Sequence, residues 1–158
     1  MTALRNAEQI TQPIVEDGDL GQNVNVPYFI VFTNPGCMPC KLSMKMIKEK
    51  HRNPALIIDL SKHDWAHDYV TQTLGALSTP VVVAANIADP EAEDESHTGT
   101  YFWTGYVPDN IQAAAKLANA QLDTLSDDEL QRINRAIVKA NANDDRDALH
   151  VFYEEMAH

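Results

Sequence analysis

This chain is short of several things, and each shortage narrows what it can be. Its 158 residues include only two cysteines, so a scaffold held by several disulfides is excluded. Positive charge is scarce: 12 Lys and Arg stand against 23 Asp and Glu, for a formal charge of −11. Phosphate backbones need a basic face, so nucleic acid is not an expected partner. No apolar run reaches the roughly 20 residues of a membrane-spanning helix. The opening Met1-Thr2-Ala3-Leu4-Arg5-Asn6-Ala7-Glu8 lacks the apolar core of a secretory leader. The expected setting is therefore cytoplasmic and reducing, with no membrane contact, where a cysteine pair is more often catalytic than structural. Metal donors are thin as well. His63 and His67 are four residues apart, but two imidazoles fall short of the roughly four ligands of a structural zinc site, so no bound metal is expected.

What the chain does have is concentrated in Tyr28-Phe29-Ile30-Val31-Phe32-Thr33-Asn34-Pro35-Gly36-Cys37-Met38-Pro39-Cys40-Lys41. An apolar, β-rich run meets a Pro-Gly breaker, and both cysteines follow on the first turn of a helical pattern. A lone Cys-x-x-Cys between a strand and a helix reads as a redox dithiol of the thioredoxin kind. Cys37 falls at the helix N-terminus, where unpaired N–H groups and the macrodipole favour a thiolate. Cys40 lies one turn on along the same face, within reach of the first sulfur. In this reading Cys37 attacks a substrate disulfide and Cys40 resolves the mixed disulfide, leaving Cys37–Cys40 oxidised. Pro39 gives up an N–H where a helix has least need of one.

The remaining elements follow in order. Residues 1–26 predict an irregular N-terminal arm. Strands are expected at 28–33, 55–60, from 77 to about 85, and 100–104. Helices are expected from Cys37 to about Lys50, from an N-cap at Ser61 through Leu74 to Gly75, and from Pro108 along Ile111, Ala114, Ala115, Leu117 and Ala118. Between the last two strands runs an acidic insertion, residues 86–99, whose Asp89–Glu95 tip predicts an exposed loop able to make partner association salt-sensitive. Ser126-Asp127-Asp128-Glu129 is a capping box opening a helical hairpin within residues 122–158, expected to cover apolar surface of its own chain. The redoxin domain is thus placed at residues 27–121, between the arm and this extension.

The order of elements, the Cys-x-x-Cys after the first strand and the proline opening the third resemble the thioredoxin and glutaredoxin superfamily. Three segments resemble NrdH redoxins more closely: Phe32 to Cys40, Leu74-Gly75-Ala76-Leu77-Ser78-Thr79-Pro80-Val81-Val82-Val83, and Trp103-Thr104-Gly105-Tyr106-Val107-Pro108-Asp109. The resemblance implies an α/β thioredoxin-like fold, with a four-stranded mixed sheet of order 2-1-3-4 flanked by helices. It implies a cis Pro80 beside the cysteines, Thr79 backbone groups that pair with an extended substrate, and substrate contacts from Met38, Pro39, Trp103 and Gly105. It also implies re-reduction by thioredoxin reductase, a protein-disulfide substrate such as a ribonucleotide reductase, and no bound cofactor beyond the redox-active disulfide. Two other functions stay in view: a glutathione-dependent glutaredoxin, and a binding module that holds a partner around Cys37, Pro80 and Trp103 without turnover. Against glutathione stand Asn34, where glutaredoxins usually carry lysine, and Thr104-Gly105-Tyr106 in place of a glycine pair. Val107 stands where NrdH redoxins tend to have arginine.

Overall fold

The strand that delivers the cysteines is buried along its whole length, and the rest of the chain is layered on it. In the computed structural model this strand is β2 (Tyr28–Thr33), after a short β1 (Glu8–Ile10). There follow α1 (Met38–Lys45) with a widened π-helical turn (Met46–Lys50), β3 (Ala55–Asp59), and α2 (Asp64–Asp68) with a second such turn (Tyr69–Thr73). The chain continues through β4 (Val81–Ala88), β5 (Thr98–Thr104), α3 (Pro108–Leu122), α4 (Asp127–Ala142) and α5 (Ala148–Ala157). The structure describes residues 4, 7–10, 14, 24–88, 98–143 and 146–157. The acidic tip expected at Asp89–Glu95 and most of the N-terminal arm lie outside the described residues. Among the described residues no helix is long and apolar enough to cross a membrane.

The molecule is α/β, with a mixed sheet of order β1-β5-β4-β2-β3. β2 and β3 run parallel, from Phe29 opposite Ala55 to Thr33 opposite Asp59, while β2–β4, β4–β5 and β1–β5 are antiparallel. The four expected strands take the expected order. The fifth is a correction: Glu8, Gln9 and Ile10 pair with Phe102, Tyr101 and Thr100 at the sheet edge. Three residues with one partly buried side chain leave almost no periodic trace in the sequence, because an edge pairing is made by the backbone.

Side-chain alternation divides the core in two. Phe29, Val31, Val82, Ala84 and Trp103 face α1 and α3, where Ile47, Ile111, Ala114, Ala115 and Ala118 meet them. Tyr28, Ile30, Phe32, Leu56, Ile58, Val81 and Val83 face α2, α4 and α5, where Val70, Ile133, Ile137, Leu149 and Phe152 close the second layer. The C-terminal helices therefore close one face of the sheet, packing into the same core layer as β2, β3 and β4. A bulge interrupts β4–β5 between Ala84 and Ile87, with Asn86 at φ 58°. The extra residue resets the alternation, so that Ile87 rejoins the layer of Val82 and Ala84. The backbone groups the bulge would strand find side-chain partners, since Asn86 N–H donates to Thr100 Oγ1 and Asn86 O accepts from Gln121 Nε2, while the Asn86 side-chain amide donates to the carbonyls of Val24 and Val26.

Helix ends show which local signals prevailed. Ser126 Oγ accepts from Glu129 N–H at 3.2 Å, the capping interaction expected of that segment. Gly75 takes φ +67° just past the second helical segment, the left-handed stop expected there. Ser61 does not cap α2, which is a correction. Its N–H and Oγ–H both donate to Asp59 Oδ1, at 2.8 and 2.6 Å, and this tight turn postpones the helix until His63 stands at the N-cap. At the other edge of the sheet, Asn141 of α4 works as a surrogate strand. Its amide donates to Ala55 O at 2.9 Å and accepts from Ile57 N–H at 3.0 Å. The exposed ladder of β3 is blunted in this way.

Candidate functional site

Local chemistry explains how β2 hands its cysteines to α1. Cys37 N–H donates to Asn34 O across a turn with proline second and glycine third, and Gly36 takes φ +75°. That is the residue order a type II turn requires, because only glycine takes such an angle without steric cost. Cys37 is then the N-cap of α1 with extended backbone, and Pro39 sits in the first turn. The Cys40 N–H donates to Cys37 Sγ at 3.1 Å. A sulfur replaces the usual hydroxyl or carboxylate cap, and in the reduced state it would receive one of the orphan N–H groups of the helix.

Cys37 and Cys40 form a disulfide with Cα atoms 5.2 Å apart. Exposure divides them sharply: Cys37 is partly open, whereas Cys40 is 1% exposed. Thr79 meets the pair from the opposite loop, its hydroxyl donating to Cys37 Sγ at 3.5 Å. The Thr79–Pro80 peptide is cis, as the resemblance implied. Pro80 is buried, and its carbonyl accepts from Gly105 N–H at 2.8 Å. The residue after β5 is thereby tied to the loop before β4, with Gly105 at φ +85°. Met38 at 60% exposed and the exposed Pro39 complete the open rim.

Cys37, Cys40, Thr79, Pro80 and Gly105 thus come together with Met38 and Pro39 beside them. Trp103 does not join them, and its expected place in a substrate groove is corrected. It is 2% exposed, pairs with Val82 across β4–β5, and points into the layer under α1 and α3. Strand alternation decides this, since Thr104 next to it takes the exposed direction. The aromatic ring that does reach the surface here is Tyr106, 38% exposed, whose hydroxyl lies 3.7 Å from Met46 Sδ. Tyr106 was expected only as part of the Trp103–Tyr106 segment and not as a contact in its own right, although its place right after Gly105 was the available signal. His63 and His67 sit at the start and on the exposed side of α2, with His67 3.9 Å from Asp68. Among the described residues no three His, Cys, Asp or Glu side chains are grouped to hold a metal ion.

A separate polar cluster lies in the layer under α5. Tyr28 and Tyr153 share a hydroxyl–hydroxyl bond of 2.7 Å, and Phe152 lies 4.9 Å from the Tyr28 ring. Burial, with the neighbouring Tyr153, raises Tyr28 well above the usual phenol range and Tyr69 to about 12. Tyr153 is also raised by burial, against the opposing effect of its bond from Tyr28. These groups are remote from proton chemistry at neutral pH and serve the core.

Comparison with known proteins adds little. No protein-family model matches the chain. A stretch of 56 residues, 34% of this chain, is 39% identical to the "Gene 56 protein" of Mycobacterium phage L5. That match spans half the length of the phage protein.

Proposed function

We propose that this chain is a thiol–disulfide oxidoreductase, a redoxin of the NrdH kind on a thioredoxin-like fold. The observation that carries the reading is the asymmetric pair: a partly open Cys37, capping α1 and met by the Thr79 hydroxyl, and a buried Cys40 one turn later. In the reduced protein, helix N–H groups and the Thr79 hydroxyl favour the Cys37 thiolate. That thiolate attacks one sulfur of a substrate disulfide and expels the other as a thiolate, which takes up a proton. Cys40, losing its own proton, then attacks Cys37 Sγ and releases the second substrate thiol. Two electrons have passed to the substrate, and Cys37–Cys40 has become the disulfide. Thr79, next to Pro80, offers backbone groups for an extended substrate segment, and Met38, Pro39 and Gly105 border the approach. The proposed substrate is a protein disulfide, a ribonucleotide reductase among the candidates, and the proposed reductant is thioredoxin reductase.

The test is NADPH consumption in two coupled systems with the same protein disulfide, one driven by thioredoxin reductase and one by glutathione with its reductase. Turnover is expected in the first and little in the second. Turnover with glutathione alone would replace the NrdH reading with a glutaredoxin. No turnover in either, with partner binding intact, would leave a binding module.

A further inference from the structure

The surface that continues from the redox pair has a charge opposite to that of the molecule. Residues 38–50 hold four of the chain's seven lysines, Lys41, Lys45, Lys48 and Lys50, against one acid, Glu49. That is a local +3 on a chain of −11. All four lysines are exposed, and Lys41, Lys45 and Lys48 are spaced four and three apart along one side of the helical segment. The ion pairs among the described residues lie elsewhere, at His67–Asp68, Lys139–Glu155, Arg146–Glu154 and His150–Asp147. Beside these lysines opens a cleft of about 440 Å³ between this segment and the start of α3, lined by Leu42, Lys45, Met46, Lys50 and Tyr106 and by one acid, Glu49. Its apolar side chains are unusually open, with Leu42 at 42% and Tyr106 at 38% exposed. Met38, next to Cys37, precedes Leu42 by one helical turn, so the apolar strip starts at the redox pair.

We propose that this cleft docks an acidic segment with an apolar anchor, carried by the protein whose disulfide Cys37 attacks. The proposal rests on the oxidoreductase reading and adds the chemistry of the partner. Lysine ammonium groups around an apolar floor suit carboxylates flanking a Leu- or Phe-like side chain. A long polyanion such as nucleic acid fits poorly, because it would extend over the acidic remainder of the chain. A short acidic segment meets only the local field, since charges beyond about 10 Å are screened at 0.1 M salt. Attachment on this side of α1 would hold the partner's disulfide near Cys37 and raise its effective concentration there.

The experiment uses the full-length Cys37→Ser chain and a fluorescent peptide of alternating Glu and Leu, compared with its Gln-Leu counterpart. The Glu peptide is expected to bind more tightly, to weaken with salt, and to lose about tenfold in affinity in Lys45→Glu/Lys50→Glu. Lys62→Glu/Lys139→Glu changes the net charge equally outside the cleft and is expected to bind the peptide as the parent does. Equal affinity for both peptides, equal loss in both lysine pairs, or tighter binding of a single-stranded oligonucleotide would overturn the proposal. Reduction of hydroxyethyl disulfide by the dithiothreitol-reduced wild type is measured separately. Its failure refutes the oxidoreductase reading, and the peptide titration decides the docking surface on its own.

Discussion

The hydroxyl bond between Tyr28 and Tyr153 joins the strand that carries the cysteines to the last helix of the chain, and its contribution can be isolated. Tyr28 is 3% and Tyr153 6% exposed, and their oxygens are 2.7 Å apart. Tyr153→Phe strands the Tyr28 hydroxyl in the more enclosed place, which should cost about 1.5–3 kcal/mol. Tyr28→Phe leaves the slightly more open Tyr153 hydroxyl, and about 1–2 kcal/mol is expected. The double variant leaves two apolar rings of the same shape meeting edge-on, at 82°, and should cost much less than the sum, because no orphan group remains. The single losses sum to about 2.5–5 kcal/mol, so a double loss of only about 0.5–1 kcal/mol makes the coupling at least about 1.5 kcal/mol, measured from urea unfolding midpoints of the four proteins in the oxidised state at neutral pH. Additive losses, within about 0.5 kcal/mol, would show that the bond is not formed in solution and that α5 is not seated on β2 as described.

The same cluster sets an alkaline limit. Folding raises Tyr28, Tyr69 and Tyr153 above their unfolded value, so their stabilising effect is complete below about pH 10. It fades as pH rises from there through the folded values, about 12 for Tyr69. Phenolate absorbance should show these three ionising only together with loss of far-ultraviolet circular dichroism, and smooth titration of all five tyrosines in a folded protein would refute this. At the redox pair, Cys40→Ser should accumulate a mixed disulfide with a protein substrate through Cys37, whereas Cys37→Ser should accumulate none. Non-reducing electrophoresis distinguishes them, and trapping by Cys37→Ser would reverse the assigned roles.

Several features were legible from short stretches because the forces behind them act over a few residues. The apolar run at 28–33, the Pro35-Gly36 turn and the cysteine spacing place the dithiol at a helix start without reference to anything distant. Gly75 and the Ser126–Glu129 box likewise set helix ends through neighbouring backbone groups. Even here one nearby signal could defeat another, as when Asp59 drew Ser61 into a turn and delayed α2. Tertiary structure alone recruited Glu8–Ile10 to the sheet, because backbone pairing with a strand as distant in sequence as Thr100 to Phe102 leaves no pattern in three residues. It also decided that Trp103 is buried while Tyr106 reaches the surface. A segment's composition shows that its aromatics are amphipathic, but which ring is covered depends on the strand's facing and on the helices laid over it. The pairing of Tyr28 with Tyr153 across 125 residues and the seal of Asn141 on β3 are of the same kind. Each is a contact between polar groups whose partner is chosen by packing, so neither residue could announce it alone.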